Sequence, residues 1–407
     1  MKRIPRAIVM FLLVPLAAAG AERSRAVRFP PVQGHVAVGH EYRVAATPDS
    51  PWLESVAVAV GPSSGIVLWT EGGPKTGEAT IRLARLAGDG HPLDGAGTLL
   101  LENGHYQRHV AIDAFKDQFV AAWCDVAGDT KQIVALRLDA SGRALDSVPI
   151  VVADGIGNSE PEVGVTCGNA GCLVTWAGDG SYGKLPVGAV SARLLFGAAK
   201  AAGAPLLLAP KGIGNGMGTD HLSFGTVYAE QLAYGQSGAL VAKFVAADGT
   251  AAEMQLLPSS QTQIGTTWMA WNGTQWFVLM LDLTTAGELA QEFQFLRLDA
   301  AGHTVGSPTA TLLESGSVPL LCPWSPDLFL YDPQNRRVVW DGTNFLVFTQ
   351  HAIMPVGADG RVSTRVATDD YFPRGYATSV SSSGNGRTVV AYSRDSAVAI
   401  RVIEEMP

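Results

Sequence analysis

Short apolar runs, alternating with polar residues and broken by turn-forming clusters, recur along this chain at a spacing near fifty residues. The clearest copy runs from Phe119 to Leu145. It reads as an apolar strand ending in Trp123 and Asp125, a polar loop, an alternating strand through Arg137-Leu138-Asp139, and a turn at Gly142. Period-two alternation bounded by Gly, Asp and Ser is the pattern of β-strands joined by tight turns. The same order of features passes through Trp69 and Glu71, Trp176 and Asp179, Tyr228 and Glu230, Met280 and Asp282, Phe348 and Gln350, and Tyr392 and Asp395. Trp69, Trp123 and Trp176 lie 54 and 53 residues apart, and Tyr228 and Met280 lie 52 apart, so the period holds where the aromatic changes.

A fixed period of this length, with each unit built of short strands, belongs to propellers and β-solenoids. In the first unit four strands can be counted, at Ser55 to Val60, Ile66 to Thr70, Thr80 to Leu86 and Thr98 to Leu101. Four antiparallel strands favour a propeller blade, because one such sheet buries both faces only between neighbours around an axis. The pattern therefore predicts an all-β chain, a β-propeller of seven four-stranded blades. The last copy lacks a fourth strand before Pro407, and the alternating segment Val36 to Ala46 is expected to supply it. Domain boundaries follow: 1–21 a signal peptide, 22–52 an N-terminal segment holding a closing strand, and 53–407 the propeller, with a loop inserted at 313–337.

The signal peptide is read from the basic start MKRIPR, the apolar run Ala7 to Ala19 and small residues before Glu22. That run is too short to span a bilayer. The chain is expected to be secreted or periplasmic, without a membrane span, and a monomer. Hydrophobic residues make up 47% of the chain and charged residues 16%, which is ample for a large core. Net charge is −8 with no basic cluster after the signal, so nucleic acid is excluded as a partner. Four Cys stand in an oxidising compartment. Cys167 and Cys172 bracket Gly-Asn-Ala-Gly, a tight-hairpin composition that sets the two thiols opposite each other, and a disulfide is expected there. Cys124 and Cys322 are either paired or free.

The repeated Trp or large apolar residue fills the wedge between blades, a reading favoured over an aromatic binding platform. Arg85, Arg137 and Arg297 read as solvated edge or inter-blade hydrogen-bonding residues. The repeated acid is less easily absorbed. Loops after the second strand open on the same face as the loops joining blades, so these acids gather at one rim, where like charges raise pKa values or recruit cations. A turn-capping or Arg-pairing role is the more ordinary explanation. No residue is a confident catalytic assignment; the candidates are Asp125, Asp179, Glu230 and Asp282.

Asymmetric features narrow the search. His105-Tyr106-Gln107-Arg108-His109, two Gly-Ile-Gly-Asn copies at Gly155 and Gly212, and Asp220-His221 are placed in blade-joining segments. The Gly-Ile-Gly-Asn pair lacks the third glycine and following helix of a dinucleotide site, and no cofactor is implied. His105 and His109 have metal-ligand spacing only on a helix, and no metal site is assigned. The inserted loop carries Trp324, Phe329 and Tyr331 beside carboxylates, a composition suited to stacking on sugar rings or to a protein interface. With His221, these three are the ligand-binding candidates, for a carbohydrate or protein ligand.

No nucleophile elbow, zinc-protease motif or calcium loop is present. The sialidase-type Asp-containing turn, the quinone-propeller Trp motif and the WD40 dipeptides are also absent. The repeat, an apolar strand to Trp-x-acid and then Arg-Leu-Asp-x-x-Gly, resembles uncharacterised repeats of secreted bacterial propeller-like proteins over nearly the whole chain. That resemblance implies fold and not activity. The function expected is a non-enzymatic binding or interaction module using the blade-joining face. A glycan-active hydrolase or lyase with paired carboxylates is the alternative, and a structural surface component is the third reading.

Overall fold

The computed structural model describes residues 35–44, 52–72, 79–101, 105–154, 156, 163–169, 171–177, 190–196, 200–209, 212–219, 223–233, 236–246, 248–257, 264–282, 290–306, 311–317, 337–349, 352–367, 378–395 and 397–406. Their strands form seven four-stranded antiparallel sheets. After β1 (His35–Val44), the first sheet holds β2 (Trp52–Val60), β3 (Ser64–Gly72), β4 (Ala79–Ala87) and β5 (Thr98–Leu99). The second holds β6 (Tyr106–Phe115), β7 (Gln118–Ala127), β8 (Thr130–Asp139) and β9 (Ile150–Asp154), and the third β10 (Val163–Gly168), β11 (Gly171–Ala177), β12 (Val190–Phe196) and β13 (Lys200–Ala209). The fourth holds β14 (Gly212–Thr219), β15 (Ser223–Ala233), β16 (Gln236–Ala246) and β17 (Ala251–Leu257), and the fifth β18 (Ile264–Trp271), β19 (Gln275–Asp282), β20 (Ala290–Asp299) and β21 (Thr311–Ser317). The sixth is β22 (Val338–Trp340), β23 (Asn344–Phe348), β24 (Ala352–Gly357) and β25 (Val366–Ala367), and the seventh is β26 (Thr378–Ser382), β27 (Arg387–Arg394) and β28 (Ala397–Met406) with β1.

First strands of consecutive sheets touch all the way round: β2 with β6, β6 with β10, β10 with β14, β14 with β18, β18 with β22, β22 with β26, and β26 with β2. Edges that meet their counterparts on both sides line an axis, and the fourth strands form the rim. The chain is an all-β propeller. Hairpins between first and second strands open on one face. Connections from second to third strands, and from one sheet to the next, open on the other. We call these the hairpin face and the joining face.

Packing between sheets follows from the repeat. Trp69 is buried with Val389, Ala391 and Ile400 of the seventh sheet, and Trp123 with Ala57, Leu68 and Leu83 of the first. Trp176 packs with Val120 and Ala122 of the second, and Tyr228 with Leu173 of the third. Side chain to backbone hydrogen bonds reinforce the axis. Ser379 and Ser381 hydroxyls accept from Val58 and Val60 N–H at 3.1 and 3.0 Å, and the Asp113 carboxylate accepts from Cys167 N–H at 2.8 Å.

The third-to-fourth strand turn is fastened by an arginine. Gly142, at φ 77°, takes a conformation that side chains rarely adopt. Beyond it the chain folds back so that Asp146 accepts from both the backbone N–H and the guanidinium of Arg137, with 2.7 Å at Nη2. Arg85 and Asp94 repeat the arrangement at 2.7 Å. In the fifth sheet the position nine residues on is Gly306, and Arg297 donates instead to Ala358 O of the sixth sheet at 2.7 Å. Two of the three arginines therefore close their own sheet, and the third bridges sheets.

Ring closure concentrates on β1. It pairs antiparallel with β28 from His35↔Met406 to Val44↔Val398, with a bulge between Val38 and Glu41. Glu41 Oε2 accepts from Tyr392 Oη at 2.6 Å, Arg394 Nη1 at 2.8 Å and Arg401 Nη2 at 3.2 Å, while Oε1 accepts from Arg43 Nε at 2.9 Å. Burial raises the Glu41 carboxyl, but the hydrogen bonds of Tyr392 and Arg43 and the charge of Arg394 outweigh it and hold the pKa at about 2. Tyr392 is pushed up to about 12, by burial first and then by the Glu41 bond. A depressed carboxyl stabilises the fold above its ordinary range and loses that contribution as it protonates. Stability from this group should therefore be lost between the ordinary 4.5 and about 2. Glu41→Gln should cost about 2 kcal/mol at neutral pH and flatten the fall of melting temperature on acidification; the check is a melting series against pH for both proteins.

Four sequence expectations shift. In the sixth sheet Trp340 pairs with Phe345, as Trp271 pairs with Trp276 in the fifth. That register puts Thr349, and not Phe348, at the wedge position, and Phe348 packs toward Val380 and Val390 of the seventh sheet. Leu313 to Ser317, read as the start of an insertion, belong to β21, the fourth strand of the fifth sheet. The second Gly-Ile-Gly-Asn is not a joining loop but lies in the axial strand β14. Thr219 pairs with Phe224, so the chain between them, where His221 stands, connects β14 to β15 and is not a joining segment.

Candidate functional site

The repeated acid stands two residues after the wedge aromatic, and in a strand that places both side chains on one face. Trp69 Nε1 donates to Glu71 Oε1 at 2.8 Å, and Trp123 Nε1 to Asp125 Oδ1 at 3.2 Å. Both carboxylates are buried, at 5% and 7% exposure. Burying a carboxylate is costly unless each oxygen finds a donor. The second oxygen of each acid meets a different partner. Glu71 Oε2 accepts from Arg82 Nε at 2.7 Å, and Arg82 in turn donates to Gly97 O at 3.0 Å. Glu71 is thereby locked inside its own sheet.

Asp125 is arranged differently. Its Oδ2 lies 2.6 Å from His105 Nδ1, and His105 comes from the segment joining the first and second sheets. The His105 side chain is 38% exposed, against 9% for Asp125. A carboxylate accepts only, so Nδ1 is the donor of this contact, and the imidazole is partly open to solvent. A buried acid that fixes the tautomer of an accessible imidazole is the pairing used to make a histidine a general base. Asp125 pairs in register with Gln107, whose side-chain oxygen accepts from Ile81 N–H of the first sheet at 3.0 Å. The dyad is thus seated at the first-to-second sheet interface, on the joining face. Tyr106 and Arg108 follow on β6, with the guanidinium 5.2 Å from the Tyr106 ring centre, and His109 sits at φ 53° in the bulge beyond.

The other sequence candidates are distributed as follows. Glu230 and Asp282 end up on β15 and β19, with their side chains outside the described residues. Asp179, His221, Trp324, Phe329 and Tyr331 lie outside the described residues altogether, as does Cys322. Cys167 and Cys172 pair across the β10–β11 hairpin and are disulfide-bonded, with an S–S distance of 2.03 Å. Cys124 is buried and forms no disulfide among the described residues. Among those residues no group of three His, Cys, Asp or Glu side chains is placed to hold a metal ion.

The sequence assigns no metal site to His105 and His109 and offers no partner for His105; the structure pairs it with Asp125, twenty residues on. The sequence also suggests turn capping or a neighbouring arginine for the repeated acids. Glu71 does meet an arginine, Arg82 of its own sheet, and both Glu71 and Asp125 also accept from the indole of their own strand, a signal present in the sequence as Trp-x-acid.

No family model matches the chain, and no curated protein matches it. Solved structures do resemble it. One is a subtype N11 neuraminidase-like protein of A/flat-faced bat/Peru, with 9% identity and TM-score 0.46, covering 93% of this chain and 97% of that one. Another is the alpha-L-arabinofuranosidase of Fusarium graminearum, with 11% identity and TM-score 0.49, covering 91% and 98%. The same enzyme solved with arabinobiose gives 11% and 0.48. Likeness at this level extends to the fold alone. Against the expectation of a non-enzymatic binding module, the similar solved structures include a glycosidase and neuraminidase-like proteins. The aromatic residues that carried that expectation are outside the described structure.

Proposed function

We propose that this chain is a carbohydrate-active enzyme, a glycan hydrolase or lyase, built on a seven-bladed propeller and working at the joining face. The observation that carries the reading is the 2.6 Å contact of buried Asp125 with partly exposed His105. Asp179, Glu230 and Asp282 occupy the corresponding chain positions of later copies and are the acids available to complete the site. A disulfide, together with the absence among the described residues of any helix able to cross a membrane, is compatible with an exported protein meeting such substrates outside the cell.

Of the two chemistries, elimination suits the dyad better. A glycosidase needs two carboxyls facing one bond, and of the described acids of the ring Glu71 is locked by Arg82. A lyase needs one base. His105 Nε2 would take the proton from the carbon beside a uronate carboxylate, the adjacent C–O bond to the leaving sugar would break, and a double bond would form between the two carbons. The leaving oxygen receives a proton from solvent water.

The experiment is a panel of neutral and uronate-containing glycans, read both by new reducing ends and by ultraviolet absorbance of unsaturated products. Cleavage of a uronate glycan with an unsaturated product supports the lyase reading, and cleavage without one supports hydrolysis. Asp125→Asn should lower the rate about 10²-fold or more by releasing the imidazole. Failure of the wild type on every member would dispose of the proposal.

A further inference from the structure

The hairpin face, opposite the dyad, carries a second feature. Hairpins of four consecutive sheets, the seventh, first, second and third, surround a cavity of about 230 Å³ at the mouth of the axis. Its walls include Gly61, Lys116, Cys167, Asn169 and Ser383. Pockets for drug-sized molecules begin at roughly 300 Å³, so this one suits a smaller occupant. Among the described residues Lys116 is the one charged side chain in the wall, and none of them lines it with a carboxylate. Asp117, the next residue in the turn, is exposed at the tip and is not part of the wall, and Asp113 has one carboxylate oxygen engaged by Cys167 N–H at 2.8 Å.

Lys116 is also the strained residue of the rim. It opens a two-residue turn between the paired residues Phe115 and Gln118, at φ 59°. Gly and Asn take that conformation readily, and other axial hairpins turn on Gly273 and Gly342. A lysine there meets a steric cost that serves no packing purpose, since the residue is exposed at the tip. Its ammonium stands 5.0 Å from the Phe115 ring centre and makes no ion pair with a described residue. Two fixed walls flank it. The disulfide of Cys167 and Cys172 closes the hairpin that carries Asn169, and Ser383 comes from the sheet closed by β1.

We infer that this axial mouth is a binding site for a small hydroxylated carboxylate, of the sugar-acid class, with Lys116 holding the carboxylate and Asn169 and Ser383 serving the hydroxyls. A single ammonium matches a monoanion, whereas phosphate recognition favours several cations or an arginine fork. The site is independent of the joining-face dyad and needs no catalytic activity for its test.

The test is calorimetric titration of the full chain with glucuronate, with glucose and acetate as comparisons. Glucuronate should bind more tightly than either, and its affinity should weaken with added salt. Lys116→Asn should reduce affinity at least tenfold while raising the melting temperature, because asparagine accepts the left-handed turn. Lys116→Arg should retain most of the binding and guards against reading misfolding as loss of the site. Absence of glucuronate binding, or binding unchanged in Lys116→Asn, would overturn the inference. A rise in melting temperature without loss of binding would also overturn it, by making the lysine irrelevant to the ligand.

Discussion

Removal of residues 33–48 abolishes cooperative unfolding of the propeller. The expectation rests on what β1 does for the seventh sheet. It covers the outer edge of β28, and Val36 and Val44, both buried, are taken out of two separate inter-sheet cores. Its Glu41 is the shared acceptor for Tyr392, Arg394 and Arg401, so deletion leaves three donors without their carboxylate. Each donor lost from a partly buried network costs on the order of 1–3 kcal/mol, and two valines contribute about 1.5–3 kcal/mol each. The sum is comparable with the whole stability of an ordinary domain, about 5–15 kcal/mol. Differential scanning calorimetry of the shortened chain should show no single sharp transition, and exposed β28 should promote aggregation. A melting peak of unchanged position and width would show that the ring does not depend on the strand.

The second large effect is at the wedge. Trp69→Ala should destabilise by about 3–5 kcal/mol, from the cavity left between the seventh and first sheets. The indole is fully buried, and Gly97 lies flat against it where no side chain would fit. Trp69→Phe separates packing from hydrogen bonding. It keeps most of the ring but leaves Glu71 Oε1 without the indole donor, and should cost about 1–3 kcal/mol. Adding Glu71→Gln to Trp69→Phe should cost more still, because it also removes the charge paired with Arg82 Nε at 2.7 Å. Chemical denaturation of the three variants measures these differences, and a Phe variant as stable as wild type would remove the indole–carboxylate bond from the account.

Much of the frame could be read along the chain, because strands, wedge residues and turns repeat and each copy corrects the others. Cys167 and Cys172 were legible for a local reason, a hairpin composition between them. What escaped was whatever lacked a copy or a local signature. Glu41 meets partners about 350 residues away, and nothing near it in the sequence announces them. Phe348 was misassigned because an apolar run such as Phe345 to Phe348 presents equal candidates to both faces of a strand, and only the hairpin register decides between them. Gly212 to Asn215 looked like a loop from its glycines, yet glycine is tolerated on an axial strand where backbones approach closely. The partnership of His105 with Asp125 was hidden by a nearer histidine, although both residues were singled out.

The same contrast applies to function. Copies of the acid are structural where their partners are copied with them, as the indole of Trp69 and Trp123 shows. Arg82 completes that enclosure for Glu71. Asp125 departs because its second oxygen is given to a histidine of the joining segment, where Glu71 gives its own to Arg82 within the sheet. That departure sets the dyad apart from the frame and makes it the place to look for chemistry.

The most direct measurement is the ratio of kcat/KM between wild type and His105→Gln on the glycan the wild type cleaves best. The account predicts a fall of about 10²–10⁴-fold with the melting temperature unchanged, as expected for loss of a general base. A ratio near one, or a wild type that cleaves no glycan at all, would contradict it.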